Sequence, residues 1–562
     1  MSRDPKLQKL SRLAVLFSMA ALAACGGSDN DTAEPGNAPP PAEETPTPPP
    51  AAEFTLELSS DKALVIQGHS VTLTATLTRK NGFAGAVLVE LQGLPAGVAA
   101  QPVSIAEGAT TAEITLSAPL TAAHSLPTAA TARGSSGNLV ATRGLTVTVG
   151  GEPGVLDTSF GTGKVFTSVA EGEDFAYGMA VQPDGKVISV GSTSTTAGGA
   201  DFAIARHERD GTLDASFGSG GKLATAIAAG GGSDEAQAVA LQADGKIVVA
   251  GYATGATTDL DFALVRYNAD GTLDAGFGTG GKVTTDIGGS TDRIGAIAIQ
   301  ADGKIVVAGS SYSGPVTGVD FALARYNADG TLDATFGNGG KVVTPMKNFT
   351  GTDVVYSLLL QMVDGEQRIV AAGGDGDFLI ARYTAAGALD ASFANGGKIV
   401  GLFGSVGGGA YAMARGGANT IVVAGHAESD VALVRLDENG ALEPSFGNGG
   451  KVVTPLSASN WDAATAIVRQ ADGKFVVGGW VYEGGSSSAN FAAVRYTATG
   501  VLDTTFGSGG IVVTPMAGAS RSDSGRALVL QADERVPTVR ALQAGEANEG
   551  GGFQFALMRY WL

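Results

Sequence analysis

Seven times between Leu156 and Phe506 the chain repeats Leu-Asp-x-x-Phe, with Leu442-Glu443 the one variant in the acid. The phenylalanines Phe160, Phe217, Phe277, Phe336, Phe393, Phe446 and Phe506 stand 57, 60, 59, 57, 53 and 60 residues apart. A period this long with strand-like content restricts the fold to a propeller or a solenoid. After Phe277 the unit holds four apolar runs: Lys282–Thr285, Ala296–Ile299, Lys304–Ala308 and Phe321–Tyr326. Four strands per unit and seven units predict a seven-bladed β-propeller over residues 154–562. The 84 glycines read as turn punctuation of such a fold, because 44% of residues are hydrophobic and a core can form.

The repeated wording itself, Gln-Ala-Asp-Gly-Lys-Ile-Val-Val-Ala-Gly, Asp-Phe-Ala-Leu-Ala-Arg-Tyr and Leu-Asp-x-x-Phe-Gly-x-Gly-Gly-Lys, resembles the delta-sixty repeat propellers of bacterial secreted proteins. The resemblance implies a fold and no activity. The array begins on a Gly-Lys-Val-Phe strand at 163–166 and ends on Phe555–Tyr560. If the Gly-Lys-Val strand is the outermost of each blade, the first strand completes the last blade and leaves no open edge. The seventh unit reads Glu534-Arg535-Val536-Pro537-Thr538 where its sisters read Gly-Lys-Ile-Val-Val, which predicts a remodelled strand.

The first 24 residues read as a lipoprotein signal peptide. Arg3, Lys6, Lys9 and Arg12 precede an apolar run, Leu13 to Ala24, too short to span a bilayer. The run ends Leu22-Ala23-Ala24-Cys25, which resembles the lipobox of bacterial lipoproteins, where the cysteine carries the acyl chains. Cys25 is the single cysteine of the chain, so internal disulfides and Cys-based zinc or iron–sulfur sites are excluded. Gly26 after it, by resemblance to enteric lipoproteins, implies the outer membrane of a Gram-negative cell. Losing the leader removes four basic residues and one acid and takes the net charge from −19 to −22. That balance, with no basic run, excludes nucleic acid as a partner. The expected partners are the membrane, through the anchor, and a glycan or envelope protein.

Residues 25–52 hold the lipidated cysteine and a tether carrying 8 of the 21 prolines, without apolar periodicity. Residues 53–149 alternate polar and apolar in short runs such as Val71–Leu77 and Leu145–Val149. This is the pattern of a small β-sandwich, and it resembles the immunoglobulin-like modules of bacterial surface proteins. The fold class expected is therefore all-β, a seven-bladed propeller preceded by a small immunoglobulin-like sandwich acting as a stalk.

Chemical motifs are few. Every unit carries an arginine, Arg206, Arg266, Arg325, Arg382, Arg435, Arg495 or Arg559, on the face of its strand that also carries Phe and Leu. An arginine so placed requires a partner, and the acid of the Leu-Asp anchor is the candidate; the alternative is a ring of ligand-binding arginines facing a channel. The turn Asn268–Asp274 resembles a truncated calcium loop, but Arg266 stands at its first ligand position and sister turns such as Thr384–Gly387 lack carboxylates. It reads as a turn, and no metal or cofactor is expected. Gly276–Val283 imitates a phosphate loop but leads into a strand and lacks the Ser or Thr.

Consecutive loops of an up-and-down blade alternate between the two faces of the disc. The two constant loops, the Asp-Gly hairpin and the Leu-Asp-x-x-Phe segment, therefore share one face, and the two variable loops share the other. Trp461, Asp462, Trp480, Tyr482 and Glu483 fall in the variable loops of one unit and form the expected ligand site, with aromatic rings for stacking and acids for hydroxyls. The reading is a lipid-anchored envelope binding or interaction scaffold. The alternatives are a propeller-type glycan hydrolase or lyase, drawing acids from Asp234, Glu235, Asp286, Asp292 and Asp353, and a purely structural envelope protein.

Overall fold

The structure, a computed structural model, describes residues 50–562 except 195–198, 228–231, 256–258, 289, 317, 348–350, 375, 405–406, 458–460, 483–488, 516–522, 533–538 and 549–551. Cys25, the leader, most of the tether, Glu483 and the irregular stretch Glu534–Thr538 thus lie outside the described residues.

The first two sheets are built from residues 53–150. One orders Glu53–Leu58, Ser70–Lys80, Thr111–Ser117 and Ala99–Ala100. The other orders Lys62–Ile66, Leu139–Gly150, Thr128–Ser136, Val87–Gln92 and Val103–Ile105. Alternation decides the layering: along Glu53–Leu58 the residues Phe54 and Leu56 are buried and their neighbours exposed. The inward residues of both sheets, among them Leu73, Leu116, Leu145 and Val147, meet in common apolar clusters.

Among the described residues, seven antiparallel sheets of four strands follow, one of them extended by the two-residue strand Gly351–Thr352. In the sheet of the third repeat the order is Asp292–Ile299, Ile305–Tyr312, Gly318–Tyr326 and Lys341–Thr344, here called inner, second, third and outer strands. Each inner strand packs on the inner strand of the next sheet, and the inner strand of the last packs on that of the first. The Lys-Val strand that opens a sequence unit is the outer strand of the preceding sheet. The last sheet takes Lys164–Thr167 as its outer strand, paired with Phe555–Met558. The closure expected from the sequence is thus present in the pairing.

Third strands are buried on both faces, so they read as continuous apolar runs rather than alternating ones. Phe262 and Leu264 pack with Ile305, Val307 and Tyr326 of the next sheet, whereas Ala263, Val265 and Tyr267 pack with Ile188 and Ile204 of the previous one. The seven anchor phenylalanines are completely buried in these intersheet clusters. Each contributes about 1.5–3 kcal/mol through its burial.

One class of glycine departs from the expected role. The glycine of Val-Ala-Gly is not turn punctuation; it lies inside the second strand, as Gly251 and Gly309 do. Opposite it, every inner strand carries a β-bulge, which skips Tyr177, Gln237, Gly295, Tyr356, Tyr411, Thr465 or Arg526. The bulge drives a carbonyl onto the glycine: a Cβ on Gly251 would lie 1.9 Å from the Glu235 oxygen, and on Gly309 1.8 Å from the Arg293 oxygen.

Candidate functional site

The repeated arginines are all placed on the constant-loop side, between sheets. Each forms an ion pair with an anchor acid, and four donate from Nε to the acid that follows: Arg206 to Asp214 at 2.6 Å, Arg266 to Asp274 at 2.7 Å, Arg325 to Asp333 at 2.7 Å and Arg382 to Asp390 at 2.8 Å. Arg435 meets Glu443 at 2.7 Å and Arg495 meets Asp503 at 2.8 Å. The last, Arg559, reaches back to Asp157 at 2.9 Å. Each guanidinium also lies over its anchor phenylalanine, at 4.4 Å for Arg206 on Phe217. Buried among these partners, the arginines do not form a ring facing the channel, which corrects that alternative.

A second cation, which the sequence reading did not assign, joins most of these pairs. Lys186, Lys246, Lys304 and Lys474 of the Asp-Gly hairpins form ion pairs with Asp214, Asp274, Asp333 and Asp503, and Arg368 and Arg540 take this place on Asp390 and Asp157. The signal was in the sequence as the Lys of Asp-Gly-Lys. Burial alone would raise the Asp333 carboxyl, but Lys304, Thr335 and Arg325 hold it well below the usual carboxylate range. The Asp333 carboxylate therefore stays charged, and the repeated network has the chemistry of a staple rather than of a site.

The variable-loop ends carry different chemistry. Asp234, Asp292 and Asp462 begin inner strands and are buried. Their Oδ2 atoms accept backbone N–H bonds from Ile227, Ile287 and Leu456, the loops just before them. Burial raises Asp292, Asp353 and Asp462 above the ordinary value. Asp462 is thus a loop brace and not a ligand-facing acid, which corrects its place in the expected site. Asp261, Asp286 and Asp292 each bring one oxygen within 4.8 Å of the others, but Asp292 is already held by the Ile287 and Gly288 amides.

The tryptophans also differ from the expectation. Trp480 lies within the second strand Phe475–Tyr482, paired with Ala463, and meets Tyr482 edge-on at 5.2 Å. Trp461 precedes an inner strand and is 52% exposed. Its ring partner is His426 of the preceding repeat, at 5.2 Å. His426 is buried and stacks on Tyr411 at 5.5 Å, and Tyr411 meets Tyr356 at 5.1 Å. A row of four rings thus crosses three sheets at their variable ends. Tyr356 and Tyr411 occupy bulge positions, and the bulge re-aims its residue relative to the regular alternation.

The row ends on a cavity of about 630 Å³ at the variable ends of the second, third and fourth sheets, lined by Tyr252, Arg293, Gly295, Tyr312, Tyr356 and Gln237 among others. Sequence reasoning missed it because its walls come from strands of three different repeats. Farther round the same end, burial and the charges of Glu235 and Glu546 push the Tyr177 hydroxyl up to about 12.

The opposite, constant side carries the residue 53–150 module. His124 Nδ1 accepts the Thr158 backbone N–H at 3.1 Å, and its ring meets Trp561 edge-on at 5.5 Å. Trp561 is itself buried under Arg540, 4.1 Å from the ring centre.

Six segments, 182–217, 242–277, 300–336, 363–393, 419–446 and 470–506, match the family described as Domain of unknown function (DUF5122) beta-propeller. The chain carries β-propeller repeats. Each matched segment ends on an anchor phenylalanine and so contains the arginine–acid staple. Among solved structures the chain is similar to the Hadza microbial sialidase Hz136, at 10% identity over 91% of this chain and 93% of that one, with a TM-score of 0.35. It is also similar to a DUF4784 family protein from Bacteroides caccae, at 10% identity over 90% and 95%, with a TM-score of 0.23. No curated protein matches the chain.

Proposed function

We propose that the protein is a lipid-anchored binding scaffold of the cell envelope whose variable-loop face takes a glycan. In this reading Cys25 carries the lipid, the proline-rich segment is a tether, and residues 53–149 are an immunoglobulin-like stalk. Residues 154–562 are a seven-bladed propeller of the delta-sixty type. The observation that carries the glycan reading is the ring row Tyr356–Tyr411–His426–Trp461, open to solvent at Trp461 and continuous with the large cavity. Sugar rings stack their apolar faces on such side chains while hydroxyls take hydrogen bonds from the rim. The attachment of the stalk on the constant side leaves this face for a partner.

A glycan hydrolase would require carboxylates directed at a common cavity, and Asp234 and Asp292 are instead buried and engaged by loop amides. The test is binding of the purified protein to a panel of envelope polysaccharides and oligosaccharides. Trp461→Ala and Tyr411→Ala should each weaken the binding at least about tenfold with unchanged melting temperature, a loss in line with one aromatic contact of about 1.5 kcal/mol. Unaltered affinity in both variants would remove the ring row from the site. For the anchor, Cys25→Ser should move the protein from the membrane to the soluble fraction.

A further inference from the structure

The cavity at the end of the ring row has three properties that its surroundings lack. First, its lining includes Gly295. That bulge position carries Tyr177, Gln237, Tyr356, Tyr411, Thr465 or Arg526 in the sister strands, and only here has it no side chain. Second, its walls are amphipathic: Tyr312 and Tyr356 are 40% and 41% exposed and border a space in the size range of small-ligand sites. Third, it holds a cation that is in no ion pair among the described residues. Arg293 is exposed, lines the cavity and rests over the Tyr252 ring at 5.2 Å.

The contrast with the repeated arginines is chemical. Arg206, Arg266 and Arg325 are each spent on a buried carboxylate, whereas among the described residues no carboxylate stands within ion-pair distance of Arg293. Glu235, cross-strand from Tyr252, faces the Tyr252 hydroxyl, and Asp292, next to Arg293 in the chain, turns inward to the Ile287 and Gly288 amides. A guanidinium fixed over an aromatic face presents its donors in a plane, the geometry that receives a carboxylate through two parallel N–H···O bonds. In a chain of net charge −19 such a group is not explained by general attraction, since charges farther than about 8–10 Å are screened at physiological salt.

Building on the glycan reading above, we propose that this cavity is an acidic-sugar subsite. Arg293 pairs with the carboxylate of a uronate-type residue, Tyr312 and Tyr356 stack its ring, and the row through Tyr411 to Trp461 takes the sugars that follow.

The test uses an oligouronate and its carboxyl-reduced counterpart, in which each carboxylate is a primary alcohol, titrated into the full-length protein. The native protein should bind the acidic form at least tenfold more tightly, with a preference that shrinks as salt is raised. Arg293→Gln should abolish the preference and leave the affinity for the reduced form within about twofold. Arg293→Lys should keep part of the preference, and Trp461→Ala should weaken both forms equally. Equal affinity for the two forms in the native protein, or a preference that survives Arg293→Gln, overturns the acidic subsite while leaving the glycan reading in place. Failure to bind either form, or any other glycan, overturns both.

Discussion

At the residue scale, the molecule depends on positions where one atom more or one charge fewer has no room to be absorbed. The second-strand glycine is the sharpest case. The bulge on the inner strand brings a backbone carbonyl to within 1.9 Å of where a Gly251 Cβ would stand, and a backbone oxygen cannot swing aside as a flexible side chain does. Gly251→Ala should therefore cost about 1–3 kcal/mol, the usual price of overpacking, read as a lowered denaturant midpoint. Gly245→Ala, in the exposed hairpin, meets its nearest atom only at 4.0 Å, so its cost reflects the positive φ of 86° alone and should be smaller. The arginine staple is the second case. Asp333 is 4% exposed and balances both Arg325 and Lys304. Asp333→Asn leaves two cations facing a neutral amide and should cost about 3–5 kcal/mol in a denaturant titration.

At the scale of elements, neighbouring residues on the third strand fasten a sheet in both directions. Arg325 reaches forward to the Ala385 carbonyl of the next repeat, while Tyr326, one residue on and so on the opposite face, donates its hydroxyl to Thr285 Oγ1 of the previous sheet. Tyr267, Tyr496 and Tyr560 do the same to Thr225, Thr454 and Thr514. In the first sheet the place is taken by His207, 2.9 Å from Thr167 Oγ1 on the closing strand. Burial lowers His207 from 6.5 to about 4, so the folded protein keeps it neutral where an unfolded chain would protonate it. The unfolded state then binds more protons between those values, and stability falls as pH drops from about 6.5 to about 4 and levels off below. His207→Tyr, which supplies the residue that five of the six sister repeats carry, should remove this component. Melting temperatures of the two proteins should diverge below pH 6.5 in favour of the variant and run parallel at neutral pH.

At the scale of the whole molecule, the problem is closure. Seven sheets in circuit would leave one third strand with an unpaired edge, and Lys164–Thr167 covers it from the far end of the array. The same junction is held by Arg559 on Asp157, by the Arg559 bond to the Arg209 carbonyl, and by His207 on Thr167. Strand, ion pair and hydrogen bond all join the first repeat to the last. The amides of 164–167 should accordingly exchange with deuterium only through the same opening as those of 555–558. Exchange of the closing strand orders of magnitude faster than its partner would show that the pairing adds little to the stability of the ring.

The sequence by itself determined the period, the strands, the offset of sheet against unit, the closure and the acid partner of each arginine. All of these follow from local patterns: apolar alternation, turn residues, and a cation and an anion at matching places in every repeat. It also showed which end of the sheets varies, because loop order along an up-and-down sheet is a matter of counting. What it did not determine was where side chains at that end point. A β-bulge shifts the alternation by one residue, and nothing in Asp292-Arg293-Ile294-Gly295 announces it. The expected site accordingly lost Asp462 to the interior and Trp480 to a strand, while Trp461 gained His426 and Tyr411 from the repeat before it. The cavity around Arg293 was invisible for the same reason: residues 237 to 356 meet there only because three sheets lie side by side. The tertiary structure alone decided the candidate site, since a repeat specifies its own strands but the surface between repeats belongs to none of them.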